Sequence, residues 1–289
     1  MKRFLACLGL FAATTAAASV TVVDDAGRSV TLPAPAHRIV SLAPNITDAL
    51  FAAGAGAYVV GTSRFTEYPA EAKKVPVVGD ATMIDLERIV ALKPDIVVVW
   101  KSGNAASQVE KIARLGIPVF YSETTRLAQV AATTRQLGKL AGTEDVATRN
   151  AAAFDASLRQ LRTTYTGKKR LKVFFQIWDR PLMTVGRAQI IDDALDLCGG
   201  DNLFADIDQA APTVSREAVL ARNPDVIMSG GGEGESLASW KPSGFLSAVR
   251  HDNVFAIDAP TLALPSPSIL AGVDALCHAL DEARTRSVR

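Results

Sequence analysis

The sequence predicts an α/β protein with two Rossmann-like lobes, each built on a parallel sheet, joined by a single long spine helix with a ligand cleft between the lobes. Three observations predict this fold: a segment that occurs twice, strands that alternate with helices, and one long helical stretch that interrupts the alternation. A supersecondary unit used twice indicates two similar halves. Clefts between domains are a usual place for small ligands to bind.

The repeated segment covers residues 85–99 and 215–229, which align without a gap at an offset of 130. Each copy is predicted as a short capped helix, a Pro-Asp turn and a buried strand. Proline ends the helix and aspartate caps the turn, so we expect both Pro-Asp pairs to be structural. The identical pairs are Glu87 and Glu217, Ala91 and Ala221, Pro94 and Pro224, and Asp95 and Asp225.

Residues 1–18 are predicted as a signal peptide, because a basic start and a short apolar run precede an Ala-x-Ala site. Cleavage is expected near Ala18; a buried N-terminal helix is the alternative. Removal of Lys2 and Arg3 from a chain of formal net charge +1 leaves it close to neutral, which argues against nucleic acid and anionic membranes as partners. No later segment is long and apolar enough for membrane insertion.

The N-terminal lobe is predicted over residues 19–143 and begins with a β-hairpin at residues 20–32. The strands that follow are continuous apolar runs separated by helices, a pattern typical of a parallel sheet covered on both faces. These strands are expected at residues 38–42, 59–62, 96–100 and 119–122, and the helices at 44–53, from 85, and at 105–115.

The linking helix is predicted over residues 144–167, or from near residue 127, because residues 127–165 contain no proline and only two glycines. The C-terminal lobe then covers residues 168–289. Ser268 is expected to cap the last helix, and residues 263–268 and a glycine-rich loop at 229–234 are expected at the cleft. Strands are predicted at 172–177, 225–229 and 254–257, and helices at 189–198, 215–222 and 268–284.

Cleavage of the signal peptide removes Cys7 and leaves two cysteines, Cys198 and Cys277. An even pair in an oxidising, exported compartment predicts one disulfide. Two separate buried thiols are the alternative.

Aromatic residues are concentrated in the loops that follow predicted strands. In open α/β sheets these loops line the ligand cleft, and paired rings favour a flat, largely apolar ligand, although a ring at a strand end can instead fill the core. The candidate ligand-binding residues are Phe65, Tyr68, Trp100, Trp178, Arg180 and Met183.

Glu87 and Glu217 each lie in a first helical turn, behind the capping residues Asp85 and Ser215. A carboxylate there stabilises the helix dipole, which alone could explain both residues. Their equivalence in the two lobes favours a matched pair of contacts for a docking partner. No catalytic constellation and no metal-ligand spacing is present, so the sequence favours a binding protein over an enzyme.

Five segments resemble the periplasmic cobalamin-binding proteins of ABC importers, in the helical-backbone type of the iron–cobalamin binding-protein superfamily. These segments are residues 38–47, 85–95, 100–105, 197–204 and 214–222. The similarity covers residues 36–283. It implies a monomeric periplasmic protein that opens little, captures a corrinoid such as cobalamin and delivers it to a permease. It also implies a Cys198–Cys277 disulfide. It implies that Glu87 and Glu217 dock on the permease. It further implies that Trp100 and Phe65 contact the corrin.

The chain departs from that family pattern at several cleft positions. Ala81 and Ala211 occupy positions where the family presents tryptophan, Met183 replaces a phenylalanine, and Trp178 adds a ring nearby. Cobinamide, haem or a ferric siderophore therefore remain alternative ligands, with Tyr68 as the candidate haem ligand. Arg64, Lys101 and Arg180 are the candidate siderophore contacts. The other function classes are a cofactor-processing enzyme and a sensor that docks on a signalling partner.

Overall fold

The structure, a computed structural model, describes residues 19–230 and 236–286; the predicted signal peptide and most of the glycine-rich loop lie outside them. In the first lobe, β1 and β2 form the predicted antiparallel hairpin, and the other strands form a parallel sheet in the order β4-β3-β5-β6. Its elements are β1 (Val20–Val23), β2 (Ser29–Leu32), β3 (Ile39–Ser41), α1 (Pro44–Ala52), β4 (Val59–Gly61), α2 (Leu86–Ala91), β5 (Ile96–Trp100), α3 (Ala106–Arg114) and β6 (Val119–Ser122).

Two packed helices, α4 (Leu127–Ala141) and α5 (Glu144–Tyr165), connect the lobes. A continuous helix from residue 127 does not form, because Gly142 adopts a left-handed φ of 69° and caps the end of α4. Each helix contributes side chains to the cores of both lobes. α4 enters the second-lobe core at Leu127 and the first-lobe core at Leu137, and α5 crosses between the cores in the opposite direction.

The second lobe repeats the arrangement of the first, with β11, β10 and β7 as parallel neighbours. Its β7 pairs with parallel β9 at one end and with antiparallel β8 at the other, short strands that the sequence did not predict. The elements are β7 (Leu171–Trp178), β8 (Met183–Thr184), α6 (Ile190–Leu197), β9 (Gly200–Asn202), α7 (Arg216–Arg222), β10 (Val226–Ser229), α8 (Ser247–Arg250), β11 (Val254–Ala256) and α9 (Ile269–Arg286).

The repeated Pro-Asp turn has the same structural role in both lobes, as predicted. A carboxylate oxygen of Asp95 accepts hydrogen bonds from the backbone N–H groups of His37 and Arg38, at 2.8 and 2.9 Å, directly before β3. A carboxylate oxygen of Asp225 accepts one from the N–H of Lys172 in β7, at 2.9 Å. Each aspartate therefore satisfies a backbone donor at the start of the central strand of its lobe.

The second lobe is also covalently crosslinked. Cys198, at the end of α6, is bonded to Cys277 in α9, so the predicted disulfide is present. Both cysteines are fully buried in the core of that lobe.

Direct polar contacts join the lobes beside the helical link. The backbone N–H and hydroxyl of Ser268 donate to the two carboxylate oxygens of Asp48 in α1, at 3.2 and 2.9 Å. The hydroxyl of Ser268, expected to cap the last helix, is therefore directed at the other lobe. At the start of the link itself, the N–H of Leu127 donates to Asp193 of α6, at 2.7 Å.

Within the described ranges, no helix has both the length and the hydropathy that crossing a lipid bilayer requires.

Candidate ligand-binding cleft

A cavity of about 460 Å³ lies between the lobes. The first lobe contributes the start of α1, Trp100 at the end of β5, and residues of the loops that follow β5 and β6, including Glu123. Apart from the polar Gln189, the second lobe contributes small and aliphatic residues, which form an apolar wall. This wall includes Ala188, Ile190, Ala210, Ala263, Leu264 and Pro265, so the 263–268 segment reaches the cleft as predicted.

A second cavity, of about 320 Å³, adjoins the first on the side of the N-terminal lobe. Pro44 and Trp100 line both cavities, and Phe65, Arg64 and Asp80 belong to the second. Each volume falls within the range of small-molecule sites. Trp100 therefore stands where the two cavities meet, with part of its ring exposed.

The ring of Trp100 is held by its surroundings. Its Nε1–H donates to Glu123 at 3.3 Å, and its backbone N–H donates to the side-chain oxygen of Asn104 at 2.7 Å. A Cβ atom at Gly103 would lie 1.9 Å from the ring, so the absence of a side chain there makes room for the indole. The ring is thus oriented by the loop that follows β5.

Glu123 connects this loop to the end of β6. Its carboxylate accepts hydrogen bonds from the backbone N–H and the hydroxyl of Ser102, at 2.7 and 2.9 Å, besides the one from Trp100. Its own backbone N–H donates to Asp25 at 2.6 Å. Glu123 is not among the residues predicted from the sequence, although it follows the end of β6, a position of the kind that identified Trp100 and Phe65.

The turn of the β1–β2 hairpin contacts Glu123 through the Asp25 carboxylate, which accepts a hydrogen bond from the Glu123 backbone N–H. Burial raises the pKa of Asp25, and the neighbouring Asp24 and Glu123 carboxylates add to the rise, against the hydrogen bond from the Glu123 N–H. Burial also acts to raise the pKa of Asp24, but hydrogen bonds from the side chain and backbone of Arg28 outweigh it and hold that pKa below its usual value. Folding thus lowers the pKa of Asp24 and raises the pKa of the adjacent Asp25.

Phe65 is displayed by a strained backbone. It adopts a left-handed φ of 65°, and its side chain is 75% exposed beside the first-lobe cavity. Such a conformation is unusual for a bulky residue and is often found at binding sites. Buried hydroxyls fix the loop, since Thr66 Oγ1 donates to the carbonyl of Ser63 at 2.8 Å and lies 3.0 Å from Thr62 Oγ1.

The other predicted ligand contacts do not line either of these cavities. Tyr68 is partly exposed, and Trp178 pairs with Met183 across the β7–β8 ladder. The Trp178 Nε1–H donates to the carbonyl of Arg180, whose side chain extends into solvent beside Asp179. The structure therefore brings Phe65 and Trp100 together, and ligand contact by Tyr68, Trp178, Arg180 and Met183 stays a prediction.

Glu87 and Glu217 occupy equivalent exposed positions in the first turns of α2 and α7. The carboxylate of Asp85 accepts from the N–H of Arg88 at 2.9 Å, and the hydroxyl of Ser215 accepts from that of Ala218 at 3.1 Å. Neither glutamate forms an ion pair with another described residue, so both carboxylates are free to meet an external partner. In the same part of the chain, no group of three or more metal-ligating side chains is found.

Comparison with known proteins identifies the family. The model of the periplasmic binding protein family matches residues 39–261. A vitamin B12-binding protein of Salmonella typhimurium is 38% identical over 247 residues, covering 86% of this chain and 91% of that protein. A vitamin B12-binding protein of Vibrio cholerae is 34% identical over 248 residues, with 85% and 89% covered.

A solved structure agrees with these matches. The crystal structure of the periplasmic vitamin B12 binding protein BtuF of Vibrio cholerae superposes with a TM-score of 0.79 at 33% identity, covering 86% of this chain and 98% of that one. The two-lobed fold and the resemblance found in the sequence motifs are both confirmed. The family model spans well over half of the chain and the relatives exceed 30% identity; the chain belongs to the periplasmic binding protein family.

Proposed function

We propose that this chain is a periplasmic solute-binding protein that captures cobalamin between its lobes and delivers it to the permease of an ABC importer. The observation that carries the proposal is the oriented ring of Trp100 at the junction of the two cavities. The relatives that are named for vitamin B12 binding support the choice of ligand.

The chemistry of the cleft suits a broad macrocycle. Trp100 and Phe65 offer aromatic faces from the first lobe, and the second lobe offers an aliphatic wall that includes Leu264 and Pro265. Burial of apolar ring area against such surfaces supplies the main favourable free energy, while the few polar groups fix orientation. In this proposal the protein binds its ligand without transforming it, as a binding protein rather than an enzyme.

Delivery rests on the two exposed glutamates. Glu87 and Glu217 stand at equivalent places on the two lobes, and basic side chains of a permease would pair with both at once. Charges at the rim of an interface set orientation and association rate more than affinity. The proposal includes residues 1–18 as a signal peptide cleaved near Ala18, and a monomer with lobes at 19–143 and 168–289 joined by 144–167.

The test is a titration of the purified, exported protein with cyanocobalamin, followed by calorimetry and tryptophan fluorescence. We expect one-to-one binding with a Kd below about 1 μM, which corresponds to a standard binding free energy more favourable than about −8.2 kcal/mol. We also expect quenching of the fluorescence of Trp100. Haem and a ferric siderophore are titrated in parallel. Binding of either one, with no binding of cyanocobalamin, would overturn the ligand assignment and leave the family assignment intact.

A further inference from the structure

The interlobe cavity carries one uncompensated negative charge. Among the described residues that line it, Glu123 is the only one with an ionisable side chain; the others are apolar or neutral. Within the described part of the chain no lysine, arginine or histidine forms an ion pair with Glu123, and the nearby Lys101 donates to the backbone carbonyl of Asp25 instead. The interlobe cavity therefore has a net negative lining, whereas the adjoining cavity has one residue of each charge, Arg64 and Asp80.

The hydrogen bonds of Glu123 leave room for a ligand. An ionised carboxylate has about four acceptor positions. Three are used by the indole N–H of Trp100 and by the N–H and hydroxyl of Ser102, all of them neutral donors. These bonds fix the carboxylate beside the ring without cancelling its charge. One acceptor position and the charge itself remain for whatever enters the cleft.

We propose that Glu123 determines ligand specificity by accepting a hydrogen bond from ligands that carry neutral amides and repelling ligands that carry carboxylates. The inference rests on the proposed function, because it assigns ligand chemistry to the same cleft. A corrinoid macrocycle is rimmed by neutral amide groups, whereas haem carries two propionates. Two like charges in a partly desolvated cavity repel, and specificity commonly depends on such a repulsive element.

The second lobe offers a matched control residue. Val97 and Ile227 are equivalent in the repeat, and they pair with Val119 of β6 and Val254 of β11. This register makes Asp258 the counterpart of Glu123. Asp258 is exposed and lies outside the lining of the interlobe cavity.

The experiment compares ligands that differ in one charge. Wild-type protein, E123Q, E123D and D258N are titrated with cyanocobalamin and with its monocarboxylic acids, in which one propionamide is hydrolysed. We expect the wild type to prefer cyanocobalamin over at least one acid by tenfold or more, and E123Q to reduce that ratio at least fivefold by binding the acid more tightly. E123D and D258N should keep the wild-type ratio, because both retain the carboxylate at the cleft.

A purely structural role of Glu123 gives a different pattern. If Glu123 only supports the Trp100 loop, E123Q weakens all ligands by the same factor and the ratio does not change; that result overturns the inference while the cobalamin function stands. S102A, which removes one hydrogen bond to Glu123 but keeps the charge, should show this uniform effect.

The two proposals can fail separately. If the wild type does not bind cyanocobalamin, the proposed function fails, and ferric protoporphyrin IX becomes the probe of Glu123. E123Q should then bind it at least fivefold more tightly than wild type or D258N. Equal affinities for the three proteins would overturn the specificity role.

Discussion

The two lobes share a scaffold and differ where their strands end. In both lobes, the aspartate of a Pro-Asp turn accepts a backbone hydrogen bond at the start of the central strand. Asp95, before β5, accepts from the residue before β3, and Asp225, before β10, accepts from β7. One residue beyond the repeated segment, the first lobe has Trp100, the last residue of β5, and the second lobe has Gly230, directly after β10. Buried strand residues are constrained by packing on both faces, whereas a more exposed residue at the strand end can change without disturbing the core. Ligand recognition can therefore diverge between halves that fold alike.

The divergence gives the cleft two unlike walls. The first lobe presents an indole ring and the carboxylate of Glu123, and the second presents aliphatic residues such as Ile190 and Leu264. We expect variants of the first lobe to alter ligand choice and variants of the second to alter mainly the apolar contact area.

Docking should require both lobes. Replacing Glu87 and Glu217 together by alanine is expected to lower uptake of labelled cyanocobalamin by cells at least a hundredfold, with each single variant intermediate, because the permease loses one charged contact per lobe. Ligand affinity should change less than twofold, since neither side chain lines the cavities.

The control is E144A, which removes another exposed carboxylate from a first helical turn. It should leave uptake unchanged. A large loss of ligand affinity in the double variant would contradict the docking role.

The disulfide should stabilise only the second lobe, because the first contains no cysteine. Replacing Cys198 and Cys277 by alanine is expected to lower the free energy of unfolding by about 4.5 kcal/mol, as loop entropy predicts for a crosslink across 79 residues. Denaturant unfolding followed by far-UV circular dichroism measures this. A reducing agent should destabilise the wild type and have no effect on the variant; a loss below about 1 kcal/mol would contradict the prediction.

The aromatic contacts should be unequal. W100A is expected to weaken cyanocobalamin binding by about 1–3 kcal/mol, as buried ring contacts do, and G103A should weaken it by displacing the ring. W178A should have a smaller effect, because Trp178 lies outside the lining of both cavities. Calorimetric titration of the three variants measures the ranking. Equal losses for W100A and W178A would mean that the second lobe also contributes a ring.

The smallest expected difference between the lobes concerns the residue before each Pro-Asp turn. Lys93 and Asn223 both adopt left-handed conformations, with φ of 46° and 45°. Asparagine tolerates this region and lysine does not, so K93N should stabilise the protein by about 0.5–1 kcal/mol. N223K should destabilise it by about 1–2 kcal/mol, because the hydrogen bond from the Ser247 N–H to Asn223 is also lost.

Thermal and denaturant unfolding measure both changes. Cyanocobalamin affinity serves as the control and should stay constant, since these turns precede the strands whose far ends form the cleft. Stabilisation by both substitutions would contradict the strain argument.

Much of the fold could be predicted from the sequence. The hairpin, the parallel strands and the paired repeats were found because apolar runs and turn residues are local signals. The start of the linking helix was left open between residue 144 and a point near residue 127, because a glycine such as Gly142 can either continue a helix or cap it. The short strands β8 and β9 are also invisible in sequence, since two or three residues show no periodicity.

Site residues could be predicted from the sequence only where the position of a single residue at or after a strand end indicated the cleft. Trp100 and Phe65 followed strand ends and do line the cavities. Trp178 also ends its strand, but β8 pairs with that end of β7 and Trp178 lines neither cavity. Glu123 acquires its role from Ser102 and Trp100, more than 20 residues away in sequence, and such contacts cannot be derived without the tertiary structure.

The helical link has a consequence for how long a ligand stays bound. Because α4 and α5 are packed together and each enters both cores, separating the lobes means bending two helices and breaking the Asp48–Ser268 contacts. Loop hinges rotate at small cost, whereas packed helices resist deformation. The free protein should therefore release its cargo slowly. Rapid unloading would need work done on the lobes from outside, which ties the release of ligand to the arrival of the receiving partner.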